Sequence, residues 1–453
     1  MDNSPPIVIV GGGSTAALLA INLAGHPGRR VMLIERVVAR EGCGVAFGTR
    51  HPAHVLNVRA AGMSAFPDDS GHFARWLESH DKGAPADFVS RGVYGRYLCD
   101  LLAAAKANAP GRIECVTGNV TAIVRRSQSY HVVLSNGRAI EAARVVLSPG
   151  NLPPTVPDWL PADVADSPAY IDDPWTDEVD QWASGDARAL VLGTGLSAID
   201  TVLRLHSGRF GGKITCLSRR GLTPRRHLRE PRPLDMLDTP PPPVLSTLVH
   251  ELRHRAADIG WHSAVDELRP VTQRLWQSAS IVARARFFRH LRPYWDVHRH
   301  RLSPTVADTF EGLVDSGLVR VISGRVVAAA RSGDAVVVQW RARGGHITQT
   351  MRADMIINCT GPQTDIRRSR EPLLVHLLKA GLIRPDPLAM GIDVDTDCRV
   401  IDARGVADSG LYCIGPMTRG AFWEIVAIPD IRHQCADIAR RLASDAHGRR
   451  GEI

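Results

Sequence analysis

Two glycine fingerprints on one chain limit what it can fold into. Residues Ile7 to Ala16 read IVIVGGGSTA, an apolar strand running into Gly11-x-Gly13-x-x-Ala16 with Ser14 at the helix start. Residues Ala189 to Ala198 read ALVLGTGLSA and repeat the device as Gly193-x-Gly195-x-x-Ala198, with Ser197 in the first turn. Each pattern fits a strand, a tight turn and a helix N-terminus. The glycines let the backbone approach a pyrophosphate, and the helix end stabilises its charge. One copy is a weak signal, but two copies about 180 residues apart predict two dinucleotides facing each other, a donor and an acceptor. The expected fold is α/β, with two Rossmann-like dinucleotide-binding domains.

The strand tips distinguish the two sites. Arg30 to Ile34 form an apolar strand ending at Glu35, an acid placed to accept hydrogen bonds from an adenosine ribose, as in FAD or NAD sites. Lys213 to Leu217 end instead in Ser218-Arg219-Arg220, with no acid. A guanidinium fork suits a 2′-phosphate, so the second site reads as one for NADPH. Arg219 and Arg220 also read as ordinary surface charges, and the sequence leaves both readings open.

Length and charge narrow the rest. A chain of 453 residues has room for roughly three domains. No apolar run approaches the roughly 20 residues that span a bilayer, and the start MDNSPP lacks the basic and apolar segments of a signal peptide. A cytoplasmic protein without a membrane span is expected. The eight cysteines include no C-x-x-C pair and no zinc spacing, so no metal site and no dithiol-disulfide chemistry are expected. The formal charge is +8, and the stretch Arg219 to Arg301 supplies all of it, with sixteen arginines, no lysines and eight acids. The arginines fall at helical spacing among apolar residues, without the aromatic platforms of nucleic-acid binders. They predict a helical insert, about residues 226–303, and no nucleic-acid partner.

The chain appears in sequence as a unit that is left and re-entered. Residues 1–160 and 350–453 are assigned to the FAD-binding domain and 161–349 to the NADPH-binding domain. Helices are expected over His72 to Ser79 and Tyr94 to Asn108, strands over Ile113 to Val116, Val120 to Arg125, Tyr130 to Leu134 and Arg144 to Leu147, and a last helix from about Pro429 to Ala443.

Several segments together resemble the two-dinucleotide-binding-domain flavoproteins, and within them the bacterial FAD/NAD(P)-binding group related to flavin-dependent N-hydroxylating monooxygenases. They are Gly42 to Thr49, Leu56-Asn57-Val58, Met63 to Pro67, Asp173-Pro174-Trp175, Ser218 to Gly221, Arg286 to Arg301, Cys359-Thr360-Gly361 and Gly415 to Gln434. The resemblance covers nearly the whole chain. It implies FAD and NADPH as cofactors, a small-molecule substrate and O₂ as partners, and Gly361 and Gly415 as further cofactor contacts. The chemistry it implies is oxygen added at flavin C4a and passed from the hydroperoxide to an amine or amino-acid nitrogen. The related aspartate N-hydroxylating enzymes suggest an acidic substrate. The chain departs from the wider pattern in carrying Gly415-Pro416 in place of Gly-Asp, and Ser148-Pro149-Gly150 in place of Ala-Thr-Gly.

Candidate chemistry-bearing residues follow. By resemblance, Asn57 and Ser64 are expected near the flavin or nicotinamide. Trp423 is expected on the flavin or across the substrate pocket, with core packing the competing reading, and Glu424 on a ribityl or substrate group. Arg289, His290, Arg299 and Arg301 lie in a stretch of arginines and aromatics suited to holding a carboxylate; it reads equally as a solvated helix face with a turn at Pro293. Two other functions share the cofactors: an NADPH-dependent flavin reductase or dehydrogenase using a quinone or other acceptor, and a non-catalytic flavin-bound redox sensor. A homo-oligomer is compatible with the sequence.

Overall fold

The computed structural model describes residues 4–182, 187–230, 234–237 and 239–444. The last nine residues assigned to the first domain lie outside them. The first unit runs through β1 (Ile7–Val10), β2 (Val31–Glu35), β3 (Ile113–Thr117), β4 (Val120–Arg125), β5 (Tyr130–Leu134), β6 (Ala139–Ala142) and β7 (Arg144–Leu147). The second runs through β8 (Tyr170–Ile171), β9 (Ala189–Leu192), β10 (Ile214–Ser218), β11 (Val319–Ser332), β12 (Ala335–Ala342), β13 (Thr348–Ala353) and β14 (Met355–Asn358). The chain then returns with β15 (Arg399–Ile401) and β16 (Ala407–Cys413).

Among the described residues the strands form a 6-stranded sheet, β15-β16-β7-β1-β2-β3, a 7-stranded sheet, β13-β12-β11-β10-β9-β14-β8, and a 3-stranded sheet, β4-β5-β6. The two large sheets share one plan. Each fingerprint strand has the following strand on one side and a late-returning strand on the other, giving β7-β1-β2-β3 and β14-β9-β10-β11, all parallel. β1 and β9 are buried throughout, as expected of parallel strands covered on both faces. β14 pairs with β9, and β13 with β12. Sheet membership thus places the return to the first unit after Asn358, past the residue-350 boundary expected from sequence. β13 reads TQTMRA and is mostly exposed, so it offers no apolar alternation to mark it.

The expected helical insert lies between β10 and β11. It holds helices Leu245–Glu267, kinked at Gly260 with φ +83°, then Thr272–Ser278, Ile281–His290 and Arg292–Arg299. Its base is closed by a bridge between Arg226 and Leu302. Helix Pro304–Asp315 follows, capped by Ser303, and buries Ala307, Phe310 and Leu313 against the second sheet's core. The insert packs Trp276, Phe287, Phe288 and Trp295 on Trp423 of the returning chain. Trp276 stacks on Trp423 with ring centroids 5.1 Å apart, and its Nε1 donates to the Gly420 carbonyl at 2.8 Å. An element inserted in the second unit thereby builds a wall with a loop of the first.

Candidate active site

The first fingerprint turn is shaped by what its glycines touch. Gly11 has φ +104°, and a Cβ there would lie 2.2 Å from the Ser148 carbonyl oxygen at the end of β7. A Cβ on Gly12 would meet the Glu35 side chain at 2.5 Å. Glu35 folds back against this turn, accepting from Gly12 N at 2.8 Å and Val37 N at 3.0 Å. Gly13 faces the start of helix Gly44–Phe47, with Ser14 half-buried and Ala16 buried beyond it. Gly415, with φ +76°, closes on the Thr15 side chain, and its N–H donates to Gln434 Oε1 at 2.7 Å. Gly11, Gly13, Glu35 and Gly415 therefore converge on one helix N-terminus. That is a backbone cradle of the kind a pyrophosphate needs, with a carboxylate at the ribose position.

The second turn repeats the geometry. Gly193 has φ +122°, and a Cβ there would lie 2.3 Å from the Cys359 carbonyl oxygen just past β14. Gly195, exposed and with φ −83°, has nothing within 4 Å of its Cβ position. Gly361, with φ +94°, is equally open. Gly193 is thus required by the fold, whereas Gly195 and Gly361 leave room for a ligand. Ser197 lies half-buried in the first turn of helix Leu196–Ser207. Ser218 pins the strand tip, contacting Thr194 Oγ1 at 2.9 Å and accepting from Gly221 N at 3.0 Å. The two arginines behind it separate. Arg219 is exposed and lines a cleft beside this turn. Arg220 turns to the insert, donating to the Tyr294 hydroxyl at 3.2 Å with its guanidinium 5.3 Å from that ring.

Beside the second cradle lies a cleft of about 830 Å³. Phe47, Asn57 and Met63 line it from the first unit, and Gly193, Gly195, Arg219 and Gly361 from the second. Its charged end is built by Arg292, Asp296 and His300 of the insert with Arg419, Trp423 and Glu424 of the returning loop. Glu424 is 4% exposed and holds φ +71°. It accepts from Trp295 Nε1 at 2.8 Å, and Arg299 Nε lies 3.1 Å away, His300 3.9 Å. Burial would raise this carboxyl, but the surrounding His300, Arg299 and Trp295 outweigh it and hold it below the ordinary glutamate range. Asp296 pairs with Arg292 at 3.2 Å, and burial pushes its carboxyl up. Burial also pushes the His300 imidazole down, against the pull of Glu424 beside it. Arg419 has no ion pair among the described residues. It lies 5.9 Å from the Trp423 ring, with its guanidinium brought down to about 10 by burial and by Arg292. Each nearby carboxylate has its own arginine, so Arg419 leaves one positive charge facing the cleft.

The other candidates fall elsewhere. Ser64, expected beside the reacting rings, is fully buried and holds a turn; its hydroxyl donates to the Asp69 carbonyl at 2.6 Å and accepts from Phe66 N at 3.1 Å. Arg289 and His290 are exposed at the end of their helix and line no part of the cleft. Arg301, 3% exposed, is consumed by Asp266 at 2.8 Å and the His262 carbonyl at 2.9 Å. Arg299 reaches the site only through Glu424. Sequence reasoning missed Arg91, Asp200, Arg419 and His300, all on the cleft. Asp200 left a signal, because the equivalent position of the first fingerprint helix is the buried Leu18. Cys359 also lines the cleft, but burial pushes its thiol up to about 12, which removes thiolate character at neutral pH.

Among the described residues no helix is long and apolar enough to cross a membrane. Residues 8–152 match the model of a family described as FAD-NAD(P)-binding. Nitrosuccinic acid synthase of Aspergillus oryzae is 28% identical over 134 residues, covering 28% of this chain and only 19% of that protein. An ornithine N-hydroxylase of Kutzneria sp. 744, solved with reduced FAD, NADP⁺ and L-ornithine, superposes with a TM-score of 0.65 at 18% identity, covering 98% of this chain and 99% of that one. L-lysine 6-monooxygenase of Pseudomonas syringae gives 0.67 at 17% identity over 97% and 99%. Thioredoxin reductase of T. acidophilum gives 0.56 at 13% identity over 98% and 99%. The chain shares its fold with these enzymes.

Proposed function

We propose that this chain is an FAD- and NADPH-dependent monooxygenase that N-hydroxylates a small, acidic amino acid. The observation that carries the reading is the cleft itself. It runs from the second glycine cradle past Phe47, Asn57 and Met63 of the first unit to a wall where Arg419 is left without an ion-pair partner among the described residues. The likeness to amine-hydroxylating flavoenzymes and to a nitrosuccinic acid synthase supports the reaction class.

The residues present fit the cofactors. Gly11, Gly13 and Gly415 would hold the FAD pyrophosphate side, and Glu35 the ribose. Gly195, Gly361 and Arg219 would hold NADPH, with Arg219 on the 2′-phosphate. Bound FAD supplies the acceptor for NADPH electrons and the centre at which O₂ becomes an oxygen donor to nitrogen. The chain supplies position and dryness. Arg419 fixes a substrate carboxylate. Trp423, backed by Trp276 and Phe287, forms an apolar wall that excludes water from the reacting end. His300 accepts the proton an ammonium must lose before its nitrogen can attack, and Glu424, 3.9 Å away, stabilises the imidazolium so formed.

The test follows NADPH oxidation in air with aspartate, ornithine or lysine, scoring peroxide and the nitrogen product. Aspartate-dependent oxidation with little peroxide and a hydroxylamine or nitro product is the expected result. NADPH consumption that yields peroxide with every amine, yet is accelerated by a quinone, would replace this reading with the reductase.

A further inference from the structure

We propose that the Arg91–Asp200 ion pair is a clasp between the two nucleotide units, and that both residues are positioning residues for reduction of the flavin by NADPH. The inference rests on the cofactor assignment above. Arg91 begins helix Arg91–Asn108 of the first unit, and Asp200 lies on helix Leu196–Ser207, which starts at the second fingerprint. Arg91 Nη2 and Asp200 Oδ2 are 2.8 Å apart, with side chains only 14% and 10% exposed, and both residues line the cleft.

Further contacts surround the pair, within the first unit and across the cleft. Arg91 Nε donates to the Val55 carbonyl at 3.1 Å, and its guanidinium lies 5.6 Å from the Trp175 ring. His54 reaches across from the first unit, with Nε2 3.2 Å from the Asp200 carbonyl oxygen and Nδ1 2.8 Å from Thr49 Oγ1. At the far end of the same helix, Ser207 Oγ meets His51 Nε2 at 2.6 Å. One short loop of the first unit therefore meets this helix at Asp200 and again at its C-terminal Ser207.

Helix packing does not demand the acid. Leu18 fills the equivalent position in the first unit and is fully buried. A poorly solvated ion pair is seldom better for stability than an apolar pair, because both charges lose water. What it adds is register, since two charges attract in one relative placement. That placement matters here because the donor and acceptor rings would be carried by different sheets. Hydride transfer needs the reacting atoms at about 3–3.5 Å, so a small rotation of one sheet ends it. The opposite side of the cleft is already tied by Trp276 to Gly420 and by Trp295 and Arg299 to Glu424. Arg91 and Asp200 fix the remaining freedom.

The experiment uses the FAD-loaded full chain and follows anaerobic bleaching of the flavin by NADPH in a stopped-flow instrument. NADP⁺ affinity, bleaching by dithionite and the thermal midpoint are measured beside it. Arg91→Gln and Asp200→Asn are expected to lower the limiting bleaching rate about 10- to 100-fold, the penalty of a misplacement near 1 Å. NADP⁺ affinity and the dithionite reaction should stay at wild-type values. The reversed pair, Arg91→Asp with Asp200→Arg, should recover most of the lost rate. Asp200→Glu keeps the charge while lengthening the clasp, so it tests placement even if the neutral variants do not fold; it too should slow bleaching at an unchanged thermal midpoint. Wild-type rates in Asp200→Glu and the neutral variants overturn the clasp while leaving the cofactor assignment standing. Losses that merely add in the reversed pair also overturn it. A wild-type flavin that NADPH does not bleach overturns the cofactor assignment and the clasp together.

Discussion

Two alanine substitutions in the second fingerprint should fail in opposite ways. Gly193 has φ +122°, and a methyl group there would sit 2.3 Å from the Cys359 carbonyl oxygen, a backbone atom that cannot move aside alone. The left-handed backbone alone costs about 1–3 kcal/mol for a side-chain-bearing residue. With the overlap added, Gly193→Ala should destabilise the protein by about 3 kcal/mol or more and lower its thermal midpoint by about 3 °C or more. Gly195 has φ −83°, and its methyl group would project into empty space. As a helix N-cap change from glycine, Gly195→Ala should alter stability by less than about 1 kcal/mol. The methyl group would, however, occupy the side from which a pyrophosphate approaches the helix N-terminus. Losing one hydrogen bond to a charged group there costs about 1.5–3 kcal/mol, so NADP⁺ should bind about 10- to 100-fold more weakly. Differential scanning calorimetry and NADP⁺ titration on both variants separate the two effects. A Gly195→Ala protein that binds NADP⁺ as tightly as wild type would refute the cradle assignment, whatever Gly193→Ala does.

Three further outcomes follow from the same geometry. Arg219→Gln should erase most of the preference for NADPH over NADH, about tenfold or more, whereas Arg220→Gln, whose guanidinium is held by Tyr294, should change it little; equal effects in steady-state kinetics would undo the assignment. Arg419→Gln should raise the KM for an acidic amino acid about 10- to 100-fold with kcat nearly constant, because it removes binding shared by ground and transition states; a loss confined to kcat would contradict this. Burial holds the His54 imidazole down to about 4 against an ordinary 6.5. The stability it contributes is complete above 6.5 and is lost as pH falls toward 4, by about 3 kcal/mol in the limit. Urea unfolding of wild type and His54→Gln at pH 7 and pH 4.5 should show the smaller pH effect in the variant; equal effects would place the sensitivity elsewhere.

The sequence showed what is decided locally. The strand runs IVIV and ALVL, the glycine turns and helix His72–Ser79 depend on neighbours along the chain, and each stands where its periodicity put it. What was not legible depends on packing between distant segments. Arg299 and Arg301 are two residues apart, yet one meets Glu424 on the cleft and the other meets Asp266 behind it. The turn at His300 that divides them is fixed by the insert's closure at Leu302. Ser64 was expected near the flavin by resemblance, but serine also closes turns, and here its hydroxyl donates to the Asp69 carbonyl. Arg91 and Asp200 are ordinary charges in their own helices and acquire meaning only when two sheets face each other.

Glu424 shows how the cleft's two kinds of wall differ. A glutamate with φ +71° carries backbone strain of about 1 kcal/mol or more, and such a residue persists only where its surroundings determine it. Its side chain is fixed by Trp295 and Arg299, both from the insert, while the neighbouring Trp423 stacks on Trp276, also from the insert. The loop therefore takes its shape from an element that belongs to the other unit, not from the sheet it returns to. The cradles differ in this respect, since their glycines are set by strand ends within their own sheets. Changes in the insert should then reshape the substrate end while leaving dinucleotide affinity alone. On the proposed reading, the charge that selects the substrate, Arg419, sits on this wall and not in the cradles.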